Sequence, residues 1–327
     1  MTLPLVATMI GDPCGIGPEV CVKALAERTL YDRARPLLIG SQIAIKRAIE
    51  VSNLGLEVAV INTPAAGRYE HGTVDVIDPG DLTETDIVTA QASATCGNAV
   101  LNWMDIARDL AEAGEVDGWI MAPIDSTALK LTGKLNQLDD MMPPGTFLFR
   151  VSGPLRVVPI GEHLPIREVP DTVTKAAVLN LLRLLNQTLR SWGMAEPRIA
   201  VAGLNPHAMG LEDDEELKPA VAAAQAEGIL ATGPVSPDAV FRQCIEGQHD
   251  AVISMYHDQG QVAVKTAVFE GACSIYLGLP YIHLSIPHGS AYDIAGKGIA
   301  QHQSILAAMT TAAALAGGHG FLNQDAA

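Results

Sequence analysis

LPLVATMIGDPCGIGPEVCVKALAERTL, residues 3–30, decides how the chain is read. Its apolar opening, LPLVATMI, reads as a strand. GDPCGIGPE, Gly11–Glu19, reads as the turn that follows, because glycines permit tight turns and close backbone approach. Pro18 suits the first position of a helix, where no amide donor is needed. A glycine-rich strand–turn–helix can cradle an anion on its free amides. This one matches neither GxGxxG nor a P-loop, so on its own it is equally a well-made structural turn.

Working outward, the alternation continues. RPLLIG precedes a helix through SQIAIKRAIEVSN, and LEVAVINT and TVDVIDP form a second strand group. A long helix, roughly Ala94–Ala113, feeds the strand DGWIMAPI. Then come LRVVPIG, a helix through TKAAVLNLLRLLNQTLRSWG, and PRIAVAGLNPH. A helix near Glu216–Glu227 leads to DAVISMYHD and to the strand-rich CSIYLGLPYIHLSI. An alanine-rich helix, roughly Gln303–Ala316, follows. Such alternation predicts an α/β fold, a mostly parallel sheet with helices on both faces. No internal repeat or linker is evident. Asn136–Gly145 (NQLDDMMPPG) reads as a loop and the last ten residues as a frayed tail.

Composition narrows the class. A chain of 327 residues buries a large core and is expected to form two intimately joined lobes. Hydrophobic residues make up 48%, yet no apolar run reaches the ~18–20 residues of a membrane span. The opening residues lack the basic region of a secretory signal. Five cysteines, odd in number and without CxxC spacing, point to a reducing cytoplasm. A net charge of −16 argues against nucleic acid and anionic membranes as partners.

Three histidines carry the chemistry: His163 in GEHLPI, His207 in LNPHAMG and His257 in MYHDQG. Each stands where a strand-like run gives way to a turn, and ligands of α/β proteins collect at the carboxyl ends of strands. Three imidazoles brought together would hold one divalent cation with room for substrate. Taken singly, each is more often an ordinary polar or buried histidine.

With GDPCGIGPE, the histidine segments and PHGSAYDIAGKG, the chain resembles the 4-hydroxythreonine-4-phosphate dehydrogenase (PdxA-like) family of vitamin B6 biosynthesis along nearly its whole length. API, RIAVAGLNPHA, DAVISMYHDQG and LGLPYI match as well. The resemblance implies a two-lobed α/β/α fold like that of isopropylmalate dehydrogenase, one unit of two intertwined lobes over residues 1–327 with the active site in the cleft between them. It implies a homodimer whose subunits share each active site, with NAD and a divalent metal as cofactors. His163, His207 and His257 would be the metal ligands, and zinc, cobalt, manganese or magnesium the metal. Lys265 would contact substrate or donate a proton, and Asp258 would orient a ligand or carry charge. Pro287–Gly298 would lie along the cofactor, with His288, Gly289, Asp293 and Gly296 as contacts.

Departures from the family's pattern shape the substrate expectation. Pro144 and Gly145, just before Thr146, stand where a substrate-binding His-Thr pair is expected. Asp125-Ser126 replaces a lysine, and Ser274 and His283 replace an asparagine and an arginine that help bind phosphate. Each charge-assisted phosphate contact contributes roughly 1.5–3 kcal/mol. The expected substrate is therefore an unphosphorylated cis-dihydrodiol carboxylate such as terephthalate dihydrodiol. It would be oxidised next to its carboxylate-bearing carbon and decarboxylated, with Thr146, Lys265, Ser274 and His283 as contacts. The alternatives are 4-hydroxythreonine-4-phosphate dehydrogenase itself and, from another class, a non-catalytic metal-binding module.

Overall fold

The computed structural model describes residues 2–134, 141–267 and 272–321. The loop expected at 136–145 lies partly outside them, as does the end of the tail. Among the described residues the strands are β1 (Leu5–Met9), β2 (Arg35–Ile39), β3 (Glu57–Val60), β4 (Thr73–Ile77), β5 (Gly118–Met121), β6 (Phe147–Ser152), β7 (Leu155–Gly161), β8 (Ile199–Ala202), β9 (Ala231–Val235), β10 (Ala251–Tyr256), β11 (Cys273–Leu277) and β12 (Ile282–Ser285). The α-helices are α1 (Gly17–Leu25), α2 (Arg28–Tyr31), α3 (Gln42–Val51), α4 (Ala94–Glu112), α5 (Ser126–Leu131), α6 (Val169–Thr172), α7 (Lys175–Ser191), α8 (Lys218–Ala226), α9 (Val240–Ile245), α10 (His257–Ala267) and α11 (Gln303–Ala316).

The chain forms two compact units. The first comprises Met1–Pro144 and Leu279–Gly317. Its strands run β3-β4-β2-β1-β5-β12, every pair parallel. Parallel strands covered on both faces are apolar throughout: β1 and β5 are buried at every position. The helices start where side-chain oxygens take up free amides. Ser41 accepts from Ile43 N, Ser93 from Cys96 N, and Asp125 from Ala128 N at 2.7 Å. At Gly11 (φ +72°) a Cβ would lie 2.1 Å from Pro123 O. Only glycine lets the β1 turn pass so close to the end of β5.

The second unit comprises Gly145–Gly278 and Gly318–Ala327. Its strands run β11-β6-β7-β10-β8-β9. β7, β10, β8 and β9 are parallel, whereas β6 runs antiparallel to both β11 and β7. Leu155, Val157, Ala200, Ala202, Val252 and Val264 pack into its core. On α7, Val178, Leu181, Leu182, Leu185 and Leu189 repeat at helical spacing and are fully buried.

One local expectation changes. The stretch after Tyr256 is no turn: α10 starts at His257 itself. No described helix is long and apolar enough to cross a membrane. All five cysteines are free and buried.

Candidate active site

In the second unit β10 lies between β7 and β8, all three parallel, so their carboxyl ends open on one edge. The register sets Gly161 of β7 opposite Tyr256 of β10. The residues that follow are Glu162 and His163 on one strand and His257 on the other. Their proximity is thus a consequence of strand pairing. The rings of His163 and His257 stand 4.9 Å apart, centroid to centroid, at 46°. With Glu162 they offer three ligand atoms within 4.8 Å of one another. His257 Nδ1 donates to Asp258 Oδ1 at 2.7 Å, so Nε2 keeps the lone pair a cation needs.

His207 is not part of this group. It follows β8 on a short 3-10 turn in the left-handed region (φ 58°, ψ 17°) and is exposed. Together with Tyr256, Gln259 and Val262 it lines a cavity of about 740 Å³. The turn is anchored from beneath. The fully buried Asp213 accepts from Leu204 N at 2.9 Å, from Asn205 N at 3.2 Å and from Asn205 Nδ2 at 2.8 Å. Gln259 bridges the two histidine segments, accepting from Met255 N at 2.7 Å and donating to Gly203 O at 2.9 Å.

Lys265 lies on α10 eight residues beyond His257, about 12 Å along a helix axis at 1.5 Å per residue. It is exposed and makes no ion pair with a described residue. Thr146 immediately precedes β6, and Ser274 sits on β11 opposite Arg150 of β6. Glu162 and Arg150 were missed by the sequence reading. Arg150 donates to both Glu162 oxygens, Nη1 to Oε1 at 3.0 Å and Nη2 to Oε2 at 2.7 Å. The available signals were a cation inside the apolar FLFRVS and an acid adjoining His163.

The remaining residues belong to the first unit. Gly296 (φ +73°) and Ala295 line a cavity of about 240 Å³ with Cys14, Gly15 and Arg47. This brings the end of PHGSAYDIAGKG against the glycine-rich turn. Lys23 fixes the two together, donating to Gly298 O at 2.9 Å and Ala300 O at 2.8 Å while paired with Glu19. Gly289 is open, with only Ile124 O (3.7 Å) near a hypothetical Cβ. His288 and Asp293 are exposed and do not line that cavity. Desolvation holds the His288 imidazole below its usual pKa.

His283 is 4% exposed on β12. It stacks on Trp119 at 3.6 Å and 14°, with Nδ1 donating to Trp119 O at 3.4 Å.

Comparison with known proteins places this geometry. Residues 32–312 match the family model described as pyridoxal phosphate biosynthetic protein PdxA. A Novosphingobium aromaticivorans protein, provisionally named 4-hydroxythreonine-4-phosphate dehydrogenase, is 43% identical over 318 residues, 97% of this chain and 96% of its own. A Symbiobacterium thermophilum protein provisionally named D-threonate 4-phosphate dehydrogenase is 38% identical, covering 93% of this chain and 94% of its own. The solved 4-hydroxythreonine-4-phosphate dehydrogenase of Burkholderia phymatum superposes with a TM-score of 0.85 at 34% identity, covering 96% and 99%. Terephthalate 1,2-cis-dihydrodiol dehydrogenase of Burkholderia xenovorans reaches 0.70 at 27%, covering 95% and 98%.

These findings overturn the expected dihydrodiol substrate, because the nearer relatives are named for phosphorylated hydroxy acids. The positions behind that expectation also have structural duties. Asp125 caps α5, Gly145 and Thr146 lead into β6, and His283 packs in the core. Their side chains report on local packing, so the missing cations there say little about how a phosphate is held.

Proposed function

The chain belongs to the PdxA family of dehydrogenases, and from that membership we propose that it oxidises 4-hydroxythreonine 4-phosphate at its secondary alcohol. The observation that carries this reading is the 43% identity, over almost the whole chain, to a relative named for that substrate. D-threonate 4-phosphate is the second reading, favoured by the 38% identical relative. Both are four-carbon acids with a phosphate at one end, a carboxylate at the other and a hydroxyl at carbon 3.

Two imidazoles whose ligand atoms lie within 4.8 Å of one another suit a borderline divalent cation. His163 and His257 would hold it, with Asp258 fixing the His257 tautomer. When bound, the cation would supply Lewis acidity to the substrate hydroxyl and a nicotinamide dinucleotide would supply the hydride acceptor. The ammonium of Lys265, which pairs with no acid among the described residues, is available for the substrate's phosphate or carboxylate. Oxidation at carbon 3 leaves a ketone β to the carboxylate, a group that readily loses carbon dioxide. Lys265 would then return a proton to the α-carbon.

For the dinucleotide, the first unit offers the glycine-rich turn and Gly296. Asp12, Ser290 and Tyr292 cluster there, with Asp12 Oδ2, Ser290 Oγ and Tyr292 OH buried and both hydroxyls directed at the Asp12 carboxylate. Buried polar groups beside an open backbone at Gly289 fit a polar cofactor. The cavity of about 240 Å³ suits part of such a molecule.

The third imidazole comes from a second copy of the chain. His207 stands apart from the other two on an exposed turn, and Ile166, Met209, Leu211 and Val262 near the three histidine segments are at least 65% exposed. So much apolar surface favours a partner.

Mixing His207→Ala with His163→Ala protein tests this, since a hybrid dimer assembles one intact site. Recovery of activity is expected; none would contradict sharing. The substrate assignment is tested by nicotinamide reduction with each phosphorylated acid. Turnover of neither would refute it.

A further inference from the structure

The Arg150–Glu162 pair does not belong to the histidine set, yet it adjoins it. Glu162 is the residue between the end of β7 and His163, and its carboxylate lies within 4.8 Å of ligand atoms on both His163 and His257. A carboxylate there would ordinarily join the coordination of a cation. Arg150 occupies it instead. The two side chains are 5% and 17% exposed, and the guanidinium meets the carboxylate edge to edge, one nitrogen to each oxygen. Such a fork takes one lone pair on each oxygen and fixes the plane and direction of the carboxylate. Turning Glu162 toward a cation would strand the buried Arg150 charge, the costly way to break a buried pair. Arg150 Nη1 also donates to Leu148 O at 3.3 Å, which holds the guanidinium on β6.

We propose that Arg150 is a positioning residue that keeps the Glu162 carboxylate out of the cation's coordination sphere, so that this chain offers imidazole nitrogens only. The inference rests on the reading of His163 and His257 as cation ligands. Its consequence is selectivity. Nitrogen donors favour cobalt and zinc, whereas a carboxylate oxygen would shift the preference toward manganese and magnesium. The Arg150–Glu162 pair is neutral overall, so it leaves the cation's charge undiminished for the substrate.

The test is titration of the full-length, metal-free protein with cobalt(II) and with manganese(II), by calorimetry and by the visible spectrum of cobalt. Arg150→Met frees the carboxylate. It should tighten both metals by about 10–100-fold, manganese the more, and alter the cobalt spectrum as an oxygen enters. Glu162→Gln keeps the shape and leaves the spectrum unchanged, while the unpaired guanidinium weakens cobalt binding about tenfold. A spectrum altered by Glu162→Gln would overturn the proposal, because Glu162 would then be a ligand in the wild type. So would an Arg150→Met protein that binds both metals as the wild type does. Should Arg150→Met fail to fold, the Glu162→Gln spectrum decides alone. If the wild type bound no cobalt, the cation-site reading itself would fall, and this inference with it. Cobalt binding with unaltered variants would sink this inference only.

Discussion

Replacing His283 with phenylalanine separates a core imidazole from a substrate contact. Burial against Trp119 pulls the His283 pKa from 6.5 down to about 3. The folded protein therefore keeps this ring neutral, while the unfolded chain takes up a proton below pH 6.5. Between those two values the unfolded state binds more protons, so stability rises with pH. The contribution is complete above pH 6.5 and is lost progressively as pH falls toward 3. At about 1.4 kcal/mol per unit, the loss reaches about 2.7 kcal/mol two units below the ordinary pKa. Phenylalanine retains the stack but cannot titrate. Urea denaturation from about pH 7.5 to about pH 4.5 should thus show a steeper decline for wild type than for His283→Phe, by about 2.7 kcal/mol. Parallel curves would refute the buried, neutral assignment. The variant should also keep its turnover to within a few-fold; a loss of about a hundredfold or more would return His283 to the substrate site.

Gly11→Ala forces a Cβ to within 2.1 Å of Pro123 O in a left-handed backbone. Thermal unfolding should show a loss of about 1–3 kcal/mol or more; an unchanged melting temperature would contradict the close approach. Asp213→Ala removes the acceptor for Leu204 N and Asn205 N, costing about 1–3 kcal/mol. Hydrogen exchange at the His207 turn should quicken, and unchanged protection would dismiss the anchor. Lys265→Ala should lower kcat/KM for the phosphorylated acid by about tenfold or more, from the loss of one charge-assisted contact. A value equal to wild type would remove Lys265 from the site.

Much of this architecture was readable from the chain because its signals are local. β1 and β10 are uninterrupted apolar runs, and the α11 and α4 patterns mark the helices to within a residue or so. β6 escaped the reading because Arg150 breaks its apolar run, and the arginine's partner, Glu162, lies 12 residues away on the next strand. The start of α10 escaped because no capping side chain announces it. The pairing of His163 with His257 depends on the β7–β10 register, which spacing cannot supply. The substrate reading failed for a related reason. Side chains at Asp125 and His283 were taken as witnesses to a phosphate site, while the fold employs them as a helix cap and a stacked core ring.

The decisive measurement is the rate of nicotinamide reduction by the purified protein, with divalent cation added. Three substrates belong in one experiment: 4-hydroxythreonine 4-phosphate, D-threonate 4-phosphate and the cis-dihydrodiol of terephthalate. The account predicts turnover of a phosphorylated acid, lost on removing the cation or on substituting His163 or His257. Reduction with the dihydrodiol alone, or undiminished activity without His257, would contradict it.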